Sequence, residues 1–592
     1  MMFLKRNKEK NGRTHLSITQ SYRNSKGKSS NKTVKTLGYL DNLAKQWNMS
    51  EQDVLNKCKS ICDQMTKEYN EAKAPVYIEV KPGLRVDARE ENRKNLGCAI
   101  PLAYYNALGI EKVIRNTTDK LKTKYDMNSV FRLLVCERIL NPRSMLSSYN
   151  NKENYFFKSA FSENDMYRSQ KVFPGIKNKV VKAMNKGIKE LGFRKKTKNV
   201  FYDVTNYYFE IDIETEQLRY GYGKEHRPNP IIQMGLLQDH NAIPYTFELF
   251  PGNTNDFDTM LPVLDNFKKE YNLDKIIMVA DKGNNTSINI AALASKQDGF
   301  IFSQSIRGTK SPKKIRDWVI EDKDYNHINE DYKIKSKIDK KTITISKEES
   351  YDGKAHKIGL DVKYVAFWSR KYDVRAKKER QRTIEKAYEL VQNKPKYIAA
   401  TNYGATKYVK GLVYDKETGK VKDTDISLTF DGEKLKEDEA CDGYYCIVTS
   451  ELDMDEEEII ETYRGLWQIE ETFKISKSDL SARPVFSSLE EHINTHFLVC
   501  YVALTILRLM QNSLRKNYSA NEIRTDLGKC CATLVDKNIW LFDHRDKNGL
   551  TDKLYKLIGK NPQLKWMYLN DIKKWFSKSV LPARHKDYEK MV

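Results

Sequence analysis

Three acidic residues, Asp203, Asp281 and Glu470, have the type and placement needed for phosphodiester chemistry. The first two each end an apolar run of β-forming residues, and Glu470 lies in a predicted helix. Carboxylates brought close together repel one another unless divalent cations lie between them, and two such cations make a site for phosphodiester cleavage. Hard oxygen ligands favour Mg2+ or Mn2+ over zinc. Each acid alone also has a simpler interpretation, since turn caps and exposed helical glutamates are common.

Residues 463–477 predict a helix that places Glu470 between an aromatic residue and a cation. Tyr463 lies seven residues before Glu470, and Lys477 lies seven residues after it. Positions seven apart on a helix return to nearly the same direction, so these three side chains are expected on one face. Tyr463 and Lys477, assisted by Arg464, would then contact backbone phosphates on either side of a metal-binding Glu470.

The segments around the acids predict a mixed α/β sheet that is interrupted by an insertion. Strand signals occur at residues 199–205, 230–238, 242–250, 275–281, 299–303 and 443–449, and helical periodicity occurs at 256–271, 288–294 and 492–509. Strands joined by crossover helices indicate an α/β sheet. Residues 309–439 differ from their neighbours, because short β-prone pieces and lysine-rich turns surround one helical run at 377–392. This segment is therefore interpreted as an insertion.

The N-terminal third is predicted to hold two further modules. Residues 1–85 begin with many basic residues and short alternating segments, which indicates a small basic β-containing module. Residues 90–195 turn helical and carry Arg132, Arg138 and Arg143. They fit a helical DNA-binding domain or a set of solvated basic helices, and the pattern does not separate the two.

The composition is that of a basic, folded protein with a polyanionic partner. The chain has 592 residues, a formal net charge of +23 and a pI of about 9.2, which favours DNA or RNA as the partner. Its nine cysteines lack the spacing of a zinc site and are expected to be reduced, buried thiols. The longest apolar stretch, near residues 497–509, is interrupted and short, so neither export nor membrane anchoring is predicted.

A basic run within the predicted insertion supplies candidate DNA contacts. Arg375, Lys378 and Arg382 lie in it, close in sequence to two aromatic residues, and such a combination can follow a backbone and stack a base. A solvated face of a lysine-rich helix explains the run equally well. His226 and Arg227 follow a glycine-containing turn, where basic residues are common, and they are left out of the catalytic assignment.

These motifs resemble those of DDE-type transposases of bacterial insertion sequences, in the insertion-sequence-four superfamily and its long-chain branch. The family's first acid sits in an Asp-x-Thr element after an apolar strand, as Asp203 does. Its second acid follows another apolar strand and is trailed by a glycine, as Asp281 is. The third lies in a Tyr-Arg-Glu-Lys signature, which is matched by Tyr463, Glu470 and Lys477.

The resemblance covers residues 200–509 and departs from the family at one position. The slot for the signature Arg holds Leu466, while Arg464 lies two residues earlier and on another part of the helix. The family has an RNase H-like catalytic fold in which a β-rich insertion separates the second Asp from the Glu. The resemblance therefore implies an α/β protein with an RNase H-like mixed-sheet catalytic domain and helical and small β N-terminal modules. The segments are a basic N-terminal module at 1–85, a helical DNA-binding domain at 90–195, catalytic parts at 196–308 and 440–515, a β-rich insertion at 309–439 and a C-terminal helical region at 516–592.

The resemblance also implies a function, which is DNA transposition. The chain would bind the terminal inverted repeats of an insertion sequence, cut there and transfer strands, with Asp203, Asp281 and Glu470 holding Mg2+, for which Mn2+ can substitute. The expected partners are double-stranded DNA of the element ends and target and, in the synaptic complex, a second copy of the chain. The expected location is the bacterial cytosol, at the nucleoid. Three alternatives stay open: an RNase H-like nuclease without strand transfer, a domesticated derivative that only binds DNA, and a basic RNA-binding protein.

Overall fold

The computed structural model of the chain describes most of its residues, in two compact units. The described residues are 2–9, 12–23, 29–73, 92–121, 123–194, 199–210, 214–221, 229–271, 275–308, 311–347, 353–392, 404–410, 428–536, 538–543, 549–560, 565–577 and 581. One unit comprises Met1–Asn92, Ala532–His544 and Pro562–Asn570, and the other comprises Arg93–Cys531, Arg545–Asn561 and Asp571–Val592. His226 and Arg227 lie outside the described residues.

Strands and helices are numbered in chain order. The strands are β1 Met2–Lys8, β2 Thr14–Arg23, β3 Ser29–Tyr39, β4 Arg93–Asn95, β5 Asn199–Tyr208, β6 Ile231–Gln238, β7 Pro244–Pro251, β8 Ile277–Ala280, β9 Gly299–Ser303, β10 Asn326–Asn329, β11 Tyr332–Ile345, β12 His356–Ser369, β13 Val409–Lys410, β14 Thr429–Phe430, β15 Tyr444–Thr449, β16 Cys531–Asp536, β17 Ile539–Asp543 and β18 Trp566–Tyr568. The helices are α1 Leu40–Trp47, α2 Glu51–Lys73, α3 Ala99–Ala107, α4 Ile110–Thr118, α5 Met127–Leu140, α6 Met145–Asn150, α7 Glu163–Ser169, α8 Lys177–Glu190, α9 Asp256–Tyr271, α10 Ser287–Ser295, α11 Lys313–Ile320, α12 Arg370–Gln392, α13 Gly432–Glu439, α14 Glu456–Arg464, α15 Trp467–Lys474, α16 Glu490–Ser513, α17 Ala520–Lys529, α18 Leu550–Leu557 and α19 Leu569–Ser577.

The smaller unit begins with a three-stranded antiparallel sheet, β1–β2–β3, followed by α1 and α2. Leu40 and Leu43 lie three residues apart on α1 and are both buried, as an amphipathic helix requires. They pack with Leu16 of β2 and Val54 of α2. Helix α1 is followed by Asn48, whose φ of 51° is the left-handed conformation common just after a helix. The small N-terminal β module is therefore confirmed.

The helices α3 to α8 open the larger unit, and α5 lies at its centre. Nearly every residue of α5 is buried. Arg138, on its last turn, donates from Nη1 to the backbone carbonyls of Leu480 and Ser481, at 3.2 Å each. A buried guanidinium needs such acceptors, so Arg138 holds the end of the predicted signature region against the helical part. The DNA-binding role of residues 90–195 stays a prediction.

A nine-stranded mixed sheet forms the body of the larger unit. Its strand order is β10–β11–β12–β15–β9–β8–β5–β6–β7. The three central strands β5, β8 and β9 run parallel to one another, and their neighbours pair antiparallel. Parallel strands need long crossovers, and α9 and α10 supply helices in them. The predicted mixed-sheet α/β class is confirmed.

Two hydrophobic clusters cover the two faces of this sheet, because side chains along a strand alternate between faces. Val200 and Tyr202 of β5 pack in the cluster that includes residues of α9 and α10. Phe201, between them in sequence, packs in the cluster that includes Ile459 and Ile460 of α14. Helix α9 covers 256–271, as predicted, and its buried apolar residues belong to the first cluster. The second face is the one that receives the helices after β15.

Strands from the predicted insertion extend this same sheet. The 14-residue strands β11 and β12 pair along their whole length, and β12 also pairs with β15. The sequence pattern did not predict that the insertion would join the catalytic sheet, because strand pairing over such distances leaves no local signal. Helix α12 follows directly from β12 and is longer than its predicted span of 377–392.

Helix α16, Glu490–Ser513, passes through the interior of the larger unit. It is the one helix of the described chain that is long and apolar enough to cross a membrane, but 94% of its apolar window is buried inside the protein. Tyr104 of α3 meets Ser513 at its end, with 2.7 Å between the two hydroxyl oxygens. The apolar stretch is thus longer than the predicted 492–509, and its burial is that of a core helix.

Candidate functional site

The two predicted strand acids lie at matching positions on neighbouring parallel strands. The ladder between β5 and β8 pairs Phe201 with Val279, and Asp203 and Asp281 each lie two residues further along. Adjacent strands are about 4.8 Å apart, so this register places both acids at the same level of the sheet. Asp203 is half-buried within β5, and Asp281 is exposed directly after β8.

One face of β5 meets the segment that carries Glu470. Phe201 lies against Gly465, where an added Cβ would come within 2.8 Å of its ring. Further along the same face, Tyr207 and Ser476 share a buried hydrogen bond of 2.9 Å between their hydroxyl oxygens. These two contacts lie on either side of Asp203 in β5. The strand and the helical segment therefore run side by side, and this alignment places Asp203 near Glu470.

Asp203 and Glu470 line one open cavity of about 310 Å3, which is named the acid cavity here. Its lining residues are Asp203, Thr205, Glu470, Phe473, Lys474, Lys477, Ser478 and Arg483. Two carboxylates thus face three cations in a small volume. Such a cavity combines oxygen donors for a cation with basic groups that attract phosphate.

The predicted signature helix is not one continuous α-helix. Helix α14 ends at Arg464, α15 begins at Trp467, and a π-helical turn, Ile475–Asp479, follows. Between the helices, Leu466 N–H donates to the Tyr463 carbonyl at 3.0 Å, a tighter i to i−3 hydrogen bond. The regular α-helical hydrogen bonding is therefore interrupted between Tyr463 and Glu470. Glu470 and Lys477 line the acid cavity together and Tyr463 does not line it, so the expectation that all three share one helix face stays a prediction.

Tyr463 contacts the second acid instead of the acid cavity. Its hydroxyl donates to Asp281 Oδ1 at 3.3 Å. Burial and the nearby Asp281 carboxylate raise the pKa of Tyr463 well above its ordinary value, so the hydroxyl keeps its proton. The result is a link between β8 and α14 that holds Asp281 towards the helical segment. The predicted phosphate contact of Tyr463 stays a prediction.

Arg464 and Leu466 lie on the side of the helical segment that faces the β-rich extension of the sheet. The Arg464 guanidinium lies 5.7 Å from the ring centres of Tyr332 and Phe367, within cation–π range. Leu466 packs against the cluster that contains Phe367. Neither residue lines the acid cavity among the described residues. The cavity's own cations are Lys474, Lys477 and Arg483.

Two of these cations were missed by the sequence reasoning. Lys474 lies four residues after Glu470, the spacing at which helical side chains are neighbours, and this signal could have found it. Arg483 comes from the loop after the π-helical turn, and its guanidinium lies 5.7 Å from the Tyr208 ring centre. No local pattern marks it. Lys477, which was predicted, lies 5.4 Å from the Tyr207 ring centre.

A buried arginine holds the helix of Glu470 in place. Arg508 of α16 donates from Nη2 to Thr472 Oγ1 at 2.7 Å and from Nη1 to Glu471 at 3.1 Å. Its Nη2 also donates to the Gln468 carbonyl at 3.2 Å. Several donors of one planar group thus bind one turn of α15. Since α16 is a core helix, these bonds tie Glu470 to the rigid interior.

The donor chemistry of the acids fits a hard divalent cation. Asp203 and Glu470 face one cavity, and Asp281 lies at the matching level of the next strand. Carboxylate oxygens are the ligands that Mg2+ and Mn2+ prefer. Within the part of the chain that the structure describes, no three acidic, histidine or cysteine side chains already form a cluster able to hold a metal ion. Like charges repel, so carboxylates draw close when a cation lies between them.

The basic residues predicted in the insertion lie on α12. Arg375, Lys378 and Arg382 are all exposed. Arg375 Nε donates to Glu379 Oε1 at 2.8 Å, one turn along the helix. The run is therefore a solvent-accessible basic face, as both interpretations of the sequence require.

Two family models match the chain. Residues 208–506, half of the chain, match the model described as the transposase DDE domain. Asp281 and Glu470 lie inside that match, and Asp203 lies five residues before it. Residues 4–76 match the model described as the N-terminal domain of the IS1634 family transposase.

Among known proteins the similarities are distant. No curated protein matches the chain. A solved structure described as the piggyBac transposase synaptic complex with hairpin DNA matches 85% of this chain and 88% of its own, at 9% identity and a TM-score of 0.34. That structural similarity is too weak to support an argument about fold or function. The family models are more specific, and because the transposase DDE domain spans half of its length, the chain belongs to the DDE transposases.

Proposed function

We propose that this transposase binds the terminal inverted repeats of its insertion sequence, cuts the DNA there and joins the freed 3′ ends to target DNA, with Asp203, Asp281 and Glu470 as the metal ligands. The observation that carries this assignment is the acid cavity. Two acids distant in sequence share it, and the third lies at the matching level of the neighbouring strand. Membership of the DDE family implies a divalent metal, and the all-oxygen donor set supports Mg2+, with Mn2+ as a substitute. When bound, the metal would activate the attacking oxygen and stabilise the leaving oxygen.

The chain's own cations position the DNA for this chemistry. Lys474, Lys477 and Arg483 surround the two carboxylates, so a phosphodiester entering the cavity finds donors for its non-bridging oxygens. Tyr463 keeps Asp281 turned towards the same segment through its hydrogen bond. Backbone contacts fix the register of the DNA and leave sequence reading to other surfaces.

Contacts outside the cavity extend this binding surface. Tyr463 and Arg464 would meet the backbone near the signature segment, and Arg375, Lys378 and Arg382 would follow it along α12. The net charge of +23 supports a polyanionic partner such as double-stranded DNA. A homodimer is proposed for the synaptic complex because two element ends must be handled together, and the nucleoid is the proposed place of action.

Replacing Asp281 with Asn tests the metal assignment. Loss of one carboxylate ligand should lower cleavage of a DNA duplex containing the element end by about a hundredfold or more, because charge stabilisation at the reacting phosphate is lost. Binding of that duplex, measured by fluorescence anisotropy, should stay within about twofold of the wild type, since an Asn removes no phosphate-binding cation. Asp361, exposed on β12, supplies the matched control as Asp361→Asn.

Two outcomes of this experiment would contradict the proposal. Undiminished Mg2+-dependent cleavage by Asp281→Asn would show that Asp281 is not a ligand. An intact wild-type enzyme that cuts but fails to join precut 3′ ends to a target plasmid would be a nuclease without strand transfer.

A further inference from the structure

A second cavity, of about 500 Å3, opens beside Asp281 on the side away from Asp203. It is named the α12 cavity here, because α12 forms one wall. Its charged lining residues are Lys282, Arg307, Arg375, Glu379, Arg380, Lys407 and Asp438. Five of these described residues are cationic and two are acidic, so the lining carries a net positive charge of three.

The sheet order fixes where this cavity lies relative to the acids. Strand β8 lies between β9 and β5, so the residues after β9, Asp281 after β8 and Asp203 in β5 follow one another along the sheet. The residues 303–307 that line the α12 cavity come directly from the end of β9. Two strand spacings, about 10 Å, separate that end from Asp203. The acid cavity and the α12 cavity therefore lie on opposite sides of Asp281.

Not all cations of the α12 cavity are equally available to a ligand. Arg380 is fixed by a buried ion pair with Asp442, which Arg307 also contacts at 3.2 Å. Arg380 and Arg307 are thus both held by one buried carboxylate. Arg375 is different, because its side chain is 73% exposed and its partner Glu379 is 63% exposed. An exposed ion pair of this kind holds its partners weakly, so Arg375 can exchange Glu379 for another anion.

We propose that the α12 cavity binds a backbone phosphate of the DNA strand, with Arg375 as its main cation. This phosphate and the acid cavity lie on opposite sides of the scissile bond. The proposal rests on the proposed passage of DNA across Asp281. Lys282, the residue after Asp281, lines the cavity at its acid side and supplies a second donor. A strand that crosses the acids would thus be held at two cationic points, and the scissile phosphate would be fixed between them.

Three variants on α12 give effects of different sign. Arg375→Ala should weaken binding of a duplex copied from the DNA that borders this coding sequence by about tenfold, because a charge-assisted hydrogen bond is lost. Glu379→Gln should strengthen it by about twofold to fivefold, because the acid that competes for Arg375 is neutralised. Lys386→Ala is the matched control, since Lys386 is exposed on the same helix but does not line the cavity. All three are measured with the full-length protein by fluorescence anisotropy.

Duplexes with a single neutral phosphate identify the contact itself. Methylphosphonate is placed at one backbone position at a time near the cleavage point. One position should weaken wild-type binding by about tenfold and have no further effect on Arg375→Ala, because the same contact is already lost. The number of phosphate contacts derived from the salt dependence of binding should also be lower by about one in Arg375→Ala.

The outcomes separate this proposal from its competitors. Equal binding by the wild type, Arg375→Ala and Glu379→Gln would overturn it, as would a methylphosphonate effect that persists unchanged in Arg375→Ala at every position. Inorganic phosphate that raises the melting temperature of the wild type but not of Arg375→Ala, with unchanged duplex affinity, would assign the cavity to a free anion and overturn it too. These are binding measurements, so they judge the cavity even if Asp281→Asn still cleaves DNA.

Discussion

The Tyr463 hydroxyl donates the one direct hydrogen bond that, among the described residues, links Asp281 to the helical segment that carries Glu470. The bond joins the end of β8 to α14, two elements that are 182 residues apart in the chain. Because burial and the Asp281 carboxylate raise the pKa of Tyr463, the group acts as a donor across the pH range in which proteins stay folded. Tyr463 thus restrains the orientation of the Asp281 carboxylate.

Tyr463→Phe removes this donor and leaves the ring. Cleavage of an element-end duplex should fall by about fivefold to tenfold, the effect of one lost hydrogen bond at a functional group. Tyr388→Phe is the control, because Tyr388 is a 49% exposed tyrosine of α12 that lines neither the acid cavity nor the α12 cavity. Rates are measured with saturating duplex, so that a change in affinity does not enter. Equal rates for Tyr463→Phe and the control would show that Asp281 is positioned without the bond.

His496 predicts a pH dependence of stability. Burial, and then the charge of Arg138, lowers the pKa of His496 to about 3, well below its ordinary value of 6.5. Between these two values the unfolded chain takes up a proton that the folded chain does not. The contribution to stability is therefore complete above about pH 6.5 and is lost as the pH falls towards 3, at up to about 1.4 kcal/mol per pH unit.

The measurement is the melting temperature from pH 7.5 to 5. The wild type should lose stability more steeply than His496→Gln, which keeps a side-chain donor for the Ala482 carbonyl but cannot titrate. His327→Gln, on the exposed strand β10, should follow the wild type. Parallel curves for the wild type and His496→Gln would mean that His496 takes up protons equally in the folded and unfolded states.

At the scale of elements, the break between α14 and α15 decides how the site is built. Gly465 lies at the break, and its Cα faces the Phe201 ring on β5. Helix α15 and the π-helical turn then run along β5, where Tyr207 meets Ser476. Arg508 fixes the same helix from the core. The orientation of Glu470 is therefore set by β5 on one side and by α16 on the other.

Gly465→Ala tests this arrangement. The added methyl group would lie 2.8 Å from the Phe201 ring, so the ring or the helix must shift. Overpacking of this kind typically lowers the free energy of unfolding by about 1 to 3 kcal/mol. Phe201 lies two residues before Asp203, so a shift of its ring also disturbs the strand that carries this acid. We expect a lower melting temperature and a loss of cleavage larger than the loss of DNA binding.

Gly432→Ala is the matched control for that substitution. Gly432 also lies in a helical region, but nothing lies within 4 Å of its added methyl group. This control should be neutral or slightly stabilising, because alanine is the better helix former. An equally neutral Gly465→Ala would show that the close contact with Phe201 does not constrain the site.

At the scale of the whole molecule, the net charge of +23 predicts DNA binding that depends steeply on salt. If the protein neutralises about six to ten phosphates, its affinity for duplex DNA should fall by roughly 10³ to 10⁵ between 50 and 200 mM salt, through counterion release. The measurement is a titration at several salt concentrations. Asp281→Asn should show the same slope, since it removes no phosphate-binding cation. A shallow slope, typical of one or two phosphate contacts, would contradict the basic surfaces assigned to DNA.

Much of the secondary structure could be predicted from neighbouring residues alone. Helix α9 and strand β9 match their predicted spans, and β8 ends directly before Asp281 as expected. Strand β5 does not end at Asp203 as predicted, because it continues to Tyr208. Apolar periodicity is a local signal, and it depends on residues within one or two turns. The two acids that follow apolar β-forming runs and the glutamate on a helix could be named for the same reason.

The sequence by itself thus determined the elements, the basic character and the candidate acids, because each depends on residue type and short-range spacing. Only the tertiary structure decided that Glu470 shares a cavity with Asp203, that Tyr463 bonds to Asp281 and that Arg483 joins the site. Those contacts depend on strand order and on packing between residues far apart in the chain, which leave no local pattern. The regular helix assumed for residues 463–477 is interrupted beside Gly465, where a ring from a distant strand lies against the backbone.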